Sequence, residues 1–165
     1  MNDVRETINT MLVKTFHEIL ELEEKAIITD EFSDISNNDM HIIEAIGLGP
    51  GTRMSVIARR LNITVGSLTT SMNGLVNKGY VARQRSDRDR RVVNIYLLEK
   101  GIAAYKHHEQ FHKEMTEALM SCLTPEEQVV WVKSLDKITE FFRSHNGKKP
   151  ISKSGENNIR ALDAI

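Results

Sequence analysis

The 165-residue chain has a single cysteine, Cys122, which excludes an intrachain disulfide framework. A lone thiol fits a reducing, cytoplasmic setting. No stretch approaches the ~18 consecutive apolar residues of a membrane-spanning helix, so no membrane partner is expected. The opening "MNDVRETINT" lacks the basic-then-apolar layout of a secretion signal. Catalytic signatures are missing as well. There is no phosphate-binding glycine loop, no H-E-x-x-H metal motif and no nucleophile–base pair, so neither an enzyme nor a cofactor is expected. Hydrophobic residues at 40% and charged residues at 27% describe a globular chain able to build one ordinary core.

A net charge of only −1 conceals a strong asymmetry. Residues 1–51 hold 3 basic and 11 acidic side chains, residues 52–91 hold 9 basic and 2 acidic, and residues 92–165 hold 10 of each. The positive excess is thus confined to 40 residues, culminating in "RQRSDRDRRV" at 83–92 with five arginines. Such a block suits a polyanion footprint, although clustered charge can also serve only to solvate a surface.

Periodicity supplies the framework. Apolar positions Val4, Ile8, Met11, Leu12, Phe16, Ile19, Leu20, Leu22, Ala26 and Ile27 predict a long amphipathic helix over residues 2–29. Ser36 followed by Asp39 resembles a capped start to a short helix that stops at Gly47, and "GLGPG" reads as a turn. Thr52 is placed as the cap of a helix with Met54, Ile57, Ala58 and Leu61 inward, and Thr64 caps the next one. That second helix has Val65, Leu68, Met72, Leu75 and Val76 on its inner side and ends at Gly79. "YVARQRS" and "VVNIYLL" predict a two-stranded hairpin, and long helices follow over about 99–122 and 125–144, the latter opened by Thr124-Pro125. Residues 146–165 are polar and predicted to be a flexible tail.

Helix, tight connection, helix and hairpin together spell a winged helix-turn-helix. Opposite its apolar side the second helix presents small hydroxyl and amide groups and no acid. Such a surface can enter a DNA major groove and hydrogen-bond base edges or phosphates. Ser67, Thr70, Ser71, Asn73 and Asn77 are the candidate contacts. The dense run "SLTTSMN" is poor in helix propensity, which is unexpected for a surface helix with no task. Arg88, Arg90 and Arg91, at the hairpin tip, are placed at the minor groove, with Asp87 and Asp89 bracing them. Arg59, Arg60, Lys78, Arg83 and Arg85 are assigned to phosphates or to intramolecular pairs, with Arg59 and Arg83 counted among the candidate DNA contacts.

The segment "SDRDRRVVNIYLLEKG" (86–101) resembles the signature wing and following strand of the MarR family of bacterial transcription regulators, with Asp89 and Arg91 at its most characteristic positions. The resemblance covers about residues 1–144. It implies a mainly α fold with a small β-wing, whose long N- and C-terminal helices dimerise. "MHIIEAIG" (40–47), "ITVGSLTTSMNGLVNKGY" (63–80) and "HHEQFHKEM" (107–115) further resemble the FabT-type subgroup. That likeness implies repression of fatty-acid synthesis genes, with a long acyl chain on acyl carrier protein as corepressor. A regulator answering another small ligand, a metal or an oxidant is the alternative, as is a winged-helix protein-interaction module.

Independently, Phe111, Met115, Leu119 and Cys122, then Val129, Val132, Leu135, Ile138, Phe141 and Phe142, form stripes that need a partner. A homodimer on a pseudo-palindromic double-stranded operator follows. The expected division is 1–35 for an N-terminal dimerisation helix, 36–98 for the DNA-binding domain, 99–145 for C-terminal dimerisation helices and 146–165 for the tail. Met40, His41, Ile43, Glu44, His108 and Phe111 are candidate effector-pocket residues, with ordinary interhelical packing as the alternative. His107, His108 and His112 invite a metal reading, but a site would need ligands that only the fold could bring, so no metal is expected. Cys122, lying on an apolar stripe, is expected to be inert core.

Overall fold

The computed structural model describes residues 3–85 and 92–145. Helix α1 (Val4–Ile27) begins where the Asp3 carboxylate accepts from the Arg5 N–H, and a one-turn 3-10 helix (Asp30–Phe32) follows it. Helix α2 (Asn37–Ile46) is bounded by a reciprocal capping box between Ser36 and Asp39 and by Gly47, whose φ of 73° only glycine adopts readily. Strand β1 (Thr52–Arg53), helices α3 (Met54–Arg60) and α4 (Val65–Asn77), and strands β2 (Val81–Arg85) and β3 (Val93–Leu97) complete the winged unit. Helices α5 (Glu99–Ser121) and α6 (Pro125–His145) come last.

Two readings of residues 52–53 need correction. Thr52 does not cap α3: its hydroxyl donates to the Ile46 carbonyl at 3.2 Å, and Arg53 precedes the helix without a side-chain cap. Thr52 and Arg53 instead pair antiparallel with Ile95 and Asn94, so the hairpin is part of a three-stranded sheet in the order β1-β3-β2. Two residues are too short a run for alternation to announce a strand. Val65, predicted to face inward, is 45% exposed because it occupies the first turn of α4, before the helix reaches the core.

The core is built from one face of each element: Ile42, Ile43 and Ile46 of α2, Ile57 and Ala58 of α3, Leu68, Met72 and Leu75 of α4, and Ile95 and Leu97 of β3. Tyr80, fully buried, joins it from the α4–β2 connection. Its hydroxyl donates to Asp34 Oδ1 at 2.6 Å, and Lys100 Nζ donates to Asp34 Oδ2 at 2.8 Å while lying 4.3 Å above the Tyr80 ring. Hydrogen bonds from Lys100 and Tyr80 hold the Asp34 carboxyl below the usual range. Its stabilising contribution is therefore present above that range and is lost as pH falls through the lowered value. Burial, and secondarily Asp34, push the Tyr80 phenol up to about 12.

The chain divides into two compact units, residues 1–116 and 117–165. Among the described residues of the second, the end of α5 turns into α6 through a capping box, with the Glu127 N–H donating to Thr124 Oγ1 and the Thr124 N–H to Glu127 Oε2. No residue of α6 is buried. Cys122 is exposed rather than inert core; with Leu119, Val130 and Trp131 it lines an open apolar cavity. Among the described residues no helix is long and apolar enough to cross a membrane.

Gly101 is fully enclosed in α5, and a Cβ there would land on the Tyr80 carbonyl oxygen, closer than any Cβ approaches backbone. That oxygen already accepts from the Leu98 N–H at 2.9 Å and cannot yield cheaply. Gly101→Ala should therefore lower the free energy of unfolding by about 1–3 kcal/mol, the cost of overpacking, in a urea titration.

Candidate nucleic-acid interface

Helix α4 owes its position to its own sequence. Thr64 Oγ1 accepts from the Ser67 N–H at 3.0 Å, opening the helix, and Gly79 (φ 77°) releases the chain just past its end. Between these limits Leu68, Met72 and Leu75 are fully buried, which fixes the rotation of the helix about its axis. Ser67, Thr70, Asn73 and Asn77 are consequently exposed, and Ser71 is half-buried at the edge of the face. The four exposed residues and Ser71 lie on one uncharged, acid-free helical surface.

Several of these groups are held from behind. Asn38 Nδ2 donates to Ser71 Oγ at 3.4 Å, tying α4 to the first turn of α2. Lys78 Nζ lies 3.6 Å from Asp39 Oδ2, a second link between the same two helices. Thr69 Oγ1 donates to the Val65 carbonyl within α4, so this flank residue is turned back on the helix. Arg83 on β2 donates to Asn73 Oδ1 at 2.6 Å, which joins two of the predicted contact residues and braces the strand against the helix.

Basic residues fall into two groups. Arg60 donates to the Ala45 carbonyl at 2.6 Å and Lys78 pairs with Asp39, so both are engaged within the chain. Arg59 and Arg85 are exposed. Strands β2 and β3 pair from Val81 with Leu97 to Arg85 with Val93, directing the hairpin away from the core. Its tip, with Arg88, Arg90 and Arg91 and the bracing Asp87 and Asp89, lies outside the described residues.

The candidate effector residues separate. Met40 and Ile43 are fully buried core side chains. Glu44 and His108, together with Tyr105, Glu109 and His112, line a space of about 270 Å³. Phe111 is half-buried, with its ring centroid 5.4 Å from that of His112. His41 and Glu44 are one turn apart on α2, with Nδ1 and Oε2 3.6 Å apart. Burial holds the His108 imidazole below its ordinary pKa, with its hydrogen bond to the Glu23 carboxylate acting in the opposite sense. Glu23, buried on α1, is the member of this neighbourhood that the sequence reading missed: it is an ordinary acidic residue on a mostly exposed helix, with no local signal to mark it.

A buried helix-turn-helix carrying an antiparallel hairpin defines a winged-helix protein. The MarR family model matches residues 33–92. The fold is similar to that of Streptococcus pneumoniae FabT in a crystal structure with DNA, with a TM-score of 0.81 and 37% identity over 85% of this chain and 98% of that one. The chain belongs to the MarR family of transcription regulators. It is also 30% identical over 84 residues to the Bacillus subtilis transcriptional repressor YetL, spanning 51% of this chain and half of that protein's length. A MepR–DNA complex from S. aureus shares the fold with a TM-score of 0.65 at 22% identity, covering 80% of this chain and 94% of MepR.

The Thr64 cap positions the N-terminal turn of α4, from which Ser67 and Thr70 project. Thr64→Ala should cost about 1 kcal/mol of stability by chemical denaturation, and Thr64→Ser should restore most of it, since either hydroxyl can accept from the Ser67 N–H.

Proposed function

We propose that this chain is a homodimeric, sequence-specific repressor that places α4 in the major groove of double-stranded DNA and the arginine tip of its β2–β3 hairpin in the adjacent minor groove. The observation that carries this reading is the two-sidedness of α4. Burial of Leu68, Met72 and Leu75 leaves a surface of Ser67, Thr70, Asn73 and Asn77 that carries no negative charge. Groove entry requires such a face, because an acid there would oppose the phosphates. Arg83 is hydrogen-bonded to Asn73 of that face, Arg59 of α3 is exposed, and the positive block continues along the sequence into Arg88, Arg90 and Arg91. The FabT and MepR complexes with DNA support the same use of the fold.

Dimerisation is supported by two unpartnered faces. On α1, Val4, Ile8, Met11, Phe16 and Leu20 are all exposed, and on α6 so are Val129, Val132, Leu135 and Phe142. A second copy would cover both, as two-fold symmetric regulators do. In this reading residues 1–35 and 99–145 dimerise and residues 36–98 read DNA, in a cytoplasmic protein associated with the nucleoid. Two-fold symmetry gives half-sites about 10 base pairs apart, or a multiple of that. The FabT likeness supports control of fatty-acid synthesis genes, with a long acyl chain on acyl carrier protein as corepressor. Affinity for the operator should then rise when long-chain acyl carrier protein is added; no gain would remove that part of the reading.

Operator affinity is the direct test. A dimer neutralising about 6–10 phosphates should lose about 10³–10⁵ in affinity between 50 and 200 mM salt. Thr70→Glu should weaken binding at least about tenfold, since it places a carboxylate against the groove, while leaving the thermal midpoint nearly unchanged. A flat salt response, or full binding by Thr70→Glu, would reject the interface. In sedimentation, the wild type should run as a dimer and Leu135→Glu should shift it toward monomer.

A further inference from the structure

Four side chains from three helices converge on one point in the first unit. Glu23 of α1 is 5% exposed and His108 of α5 is 1% exposed. His112 lies one turn beyond His108, and His41 comes from α2. His108 Nε2 is 3.1 Å from Glu23 Oε1, His112 Nε2 is 3.4 Å from the same oxygen, and the two imidazole nitrogens are 3.0 Å apart. His41 Nε2 stands 3.8 Å from that oxygen, and one donor atom each from Glu23, His41 and His108 can be chosen so that all lie within 4.8 Å of one another.

Protons alone do not satisfy this arrangement. With Glu23 ionised, each histidine must donate from Nε2 to reach the carboxylate, yet their mutual contact requires one of those nitrogens to accept. While the carboxylate stays ionised, no assignment of protons gives all three contacts a donor and an acceptor. Among the described residues the ion pairs given for Glu23 are with these three histidines. A buried carboxylate without a fixed cation is costly, and converging lone pairs add to that cost.

We propose that Glu23, His41, His108 and His112 form a binding site for a divalent transition-metal ion, with Zn²⁺ the best match to the donor set. One cation at the centre converts the three conflicting contacts into ligand bonds and neutralises the carboxylate. Zinc takes His nitrogen at about 2.0–2.1 Å and carboxylate oxygen at about 2.0–2.2 Å, so neighbouring donors of a tetrahedron stand about 3.3–3.5 Å apart. Four of the six donor–donor separations are 3.0, 3.1, 3.4 and 3.8 Å and bracket that edge. Three imidazoles and one carboxylate select a borderline ion over magnesium or calcium, which prefer all-oxygen sites.

The surroundings fit as well. Glu44 Oε2 lies 3.6 Å from His41 Nδ1 and 3.9 Å from His108 Nδ1. A carboxylate on the Nδ1 side holds the proton there and leaves Nε2 free to ligate. The cavity lined by Glu44, Tyr105, His108, Glu109 and His112 supplies an entry path. His107, the remaining histidine of the cluster seen in the sequence, is directed elsewhere: its Nε2 lies 2.8 Å from the Ala26 carbonyl oxygen. The ion would clamp α1, α2 and α5 together.

The test is metal binding by the purified full-length protein, stripped with chelator and dialysed against ZnCl₂. One zinc per chain should be retained, the thermal midpoint should rise and fall back with chelator, and Co²⁺ should give the intense visible bands of a four-coordinate ion. Glu23→Gln and His112→Gln should each lower zinc affinity about 100-fold or more, while His17→Gln, an exposed histidine paired with Glu21, should leave it unchanged. His112 and His41 are partly exposed, with 39% of each side chain accessible, so His112→Gln and His41→Gln remain decisive if the buried Glu23 variant does not fold. Failure of the wild type to retain zinc, or retention at full affinity in both His112→Gln and His41→Gln, would overturn the site.

Discussion

The rotation of α4 about its own axis is the constraint on which the molecule's outward chemistry depends. Leu68, Met72 and Leu75 cannot leave the core without exposing apolar surface, at about 1.5–3 kcal/mol for each side chain. With them locked inward, helical geometry leaves Ser67, Thr70, Asn73 and Asn77 facing out. The polar face therefore needs no stabilising contacts of its own. The links from Asn38 to Ser71 and from Lys78 to Asp39 fix the helix laterally against α2, and the Arg83–Asn73 hydrogen bond ties the hairpin to it. Helix α4 is thus tied to both α2 and β2.

A second dependence runs through Tyr80. Its ring is buried at the α4–β2 junction, its hydroxyl is held by Asp34 from the loop before α2, and its carbonyl accepts from Leu98 at the start of α5. The close approach at Gly101 seats α5 against this junction. Strand β3 and α5 are consequently coupled to the helix-turn-helix by backbone contact and a short polar network. By contrast, α1 and α6 present long apolar faces with little against them in a single chain. Their amphipathic patterns make sense only with a further surface to cover them.

Much of this was legible in the chain because the relevant signals are local. The caps at Ser36 and Thr64, the glycines at 47 and 79, and the 3-to-4 spacing of α1, α4 and α6 each act within one or two turns. Where local signals were short or equivocal, the reading failed. Two residues give no periodicity for β1, Val65 matches the inward spacing but lies in the first turn of α4, and Cys122 belongs to an apolar stripe yet is exposed.

By itself, then, the order of residues determined the helices, the hairpin, the inward face of α4 and the confinement of positive charge to residues 52–91, since each arises from neighbours along the backbone. Tertiary structure alone decided that Glu23 meets His108, 85 positions away, and that His41 and His112 join them while His107 turns to Ala26. The physical reason is that a helix specifies which of its residues share a face, but not which face of another helix will be packed against it. Only the mutual burial of α1, α2 and α5 makes a carboxylate and three imidazoles into neighbours.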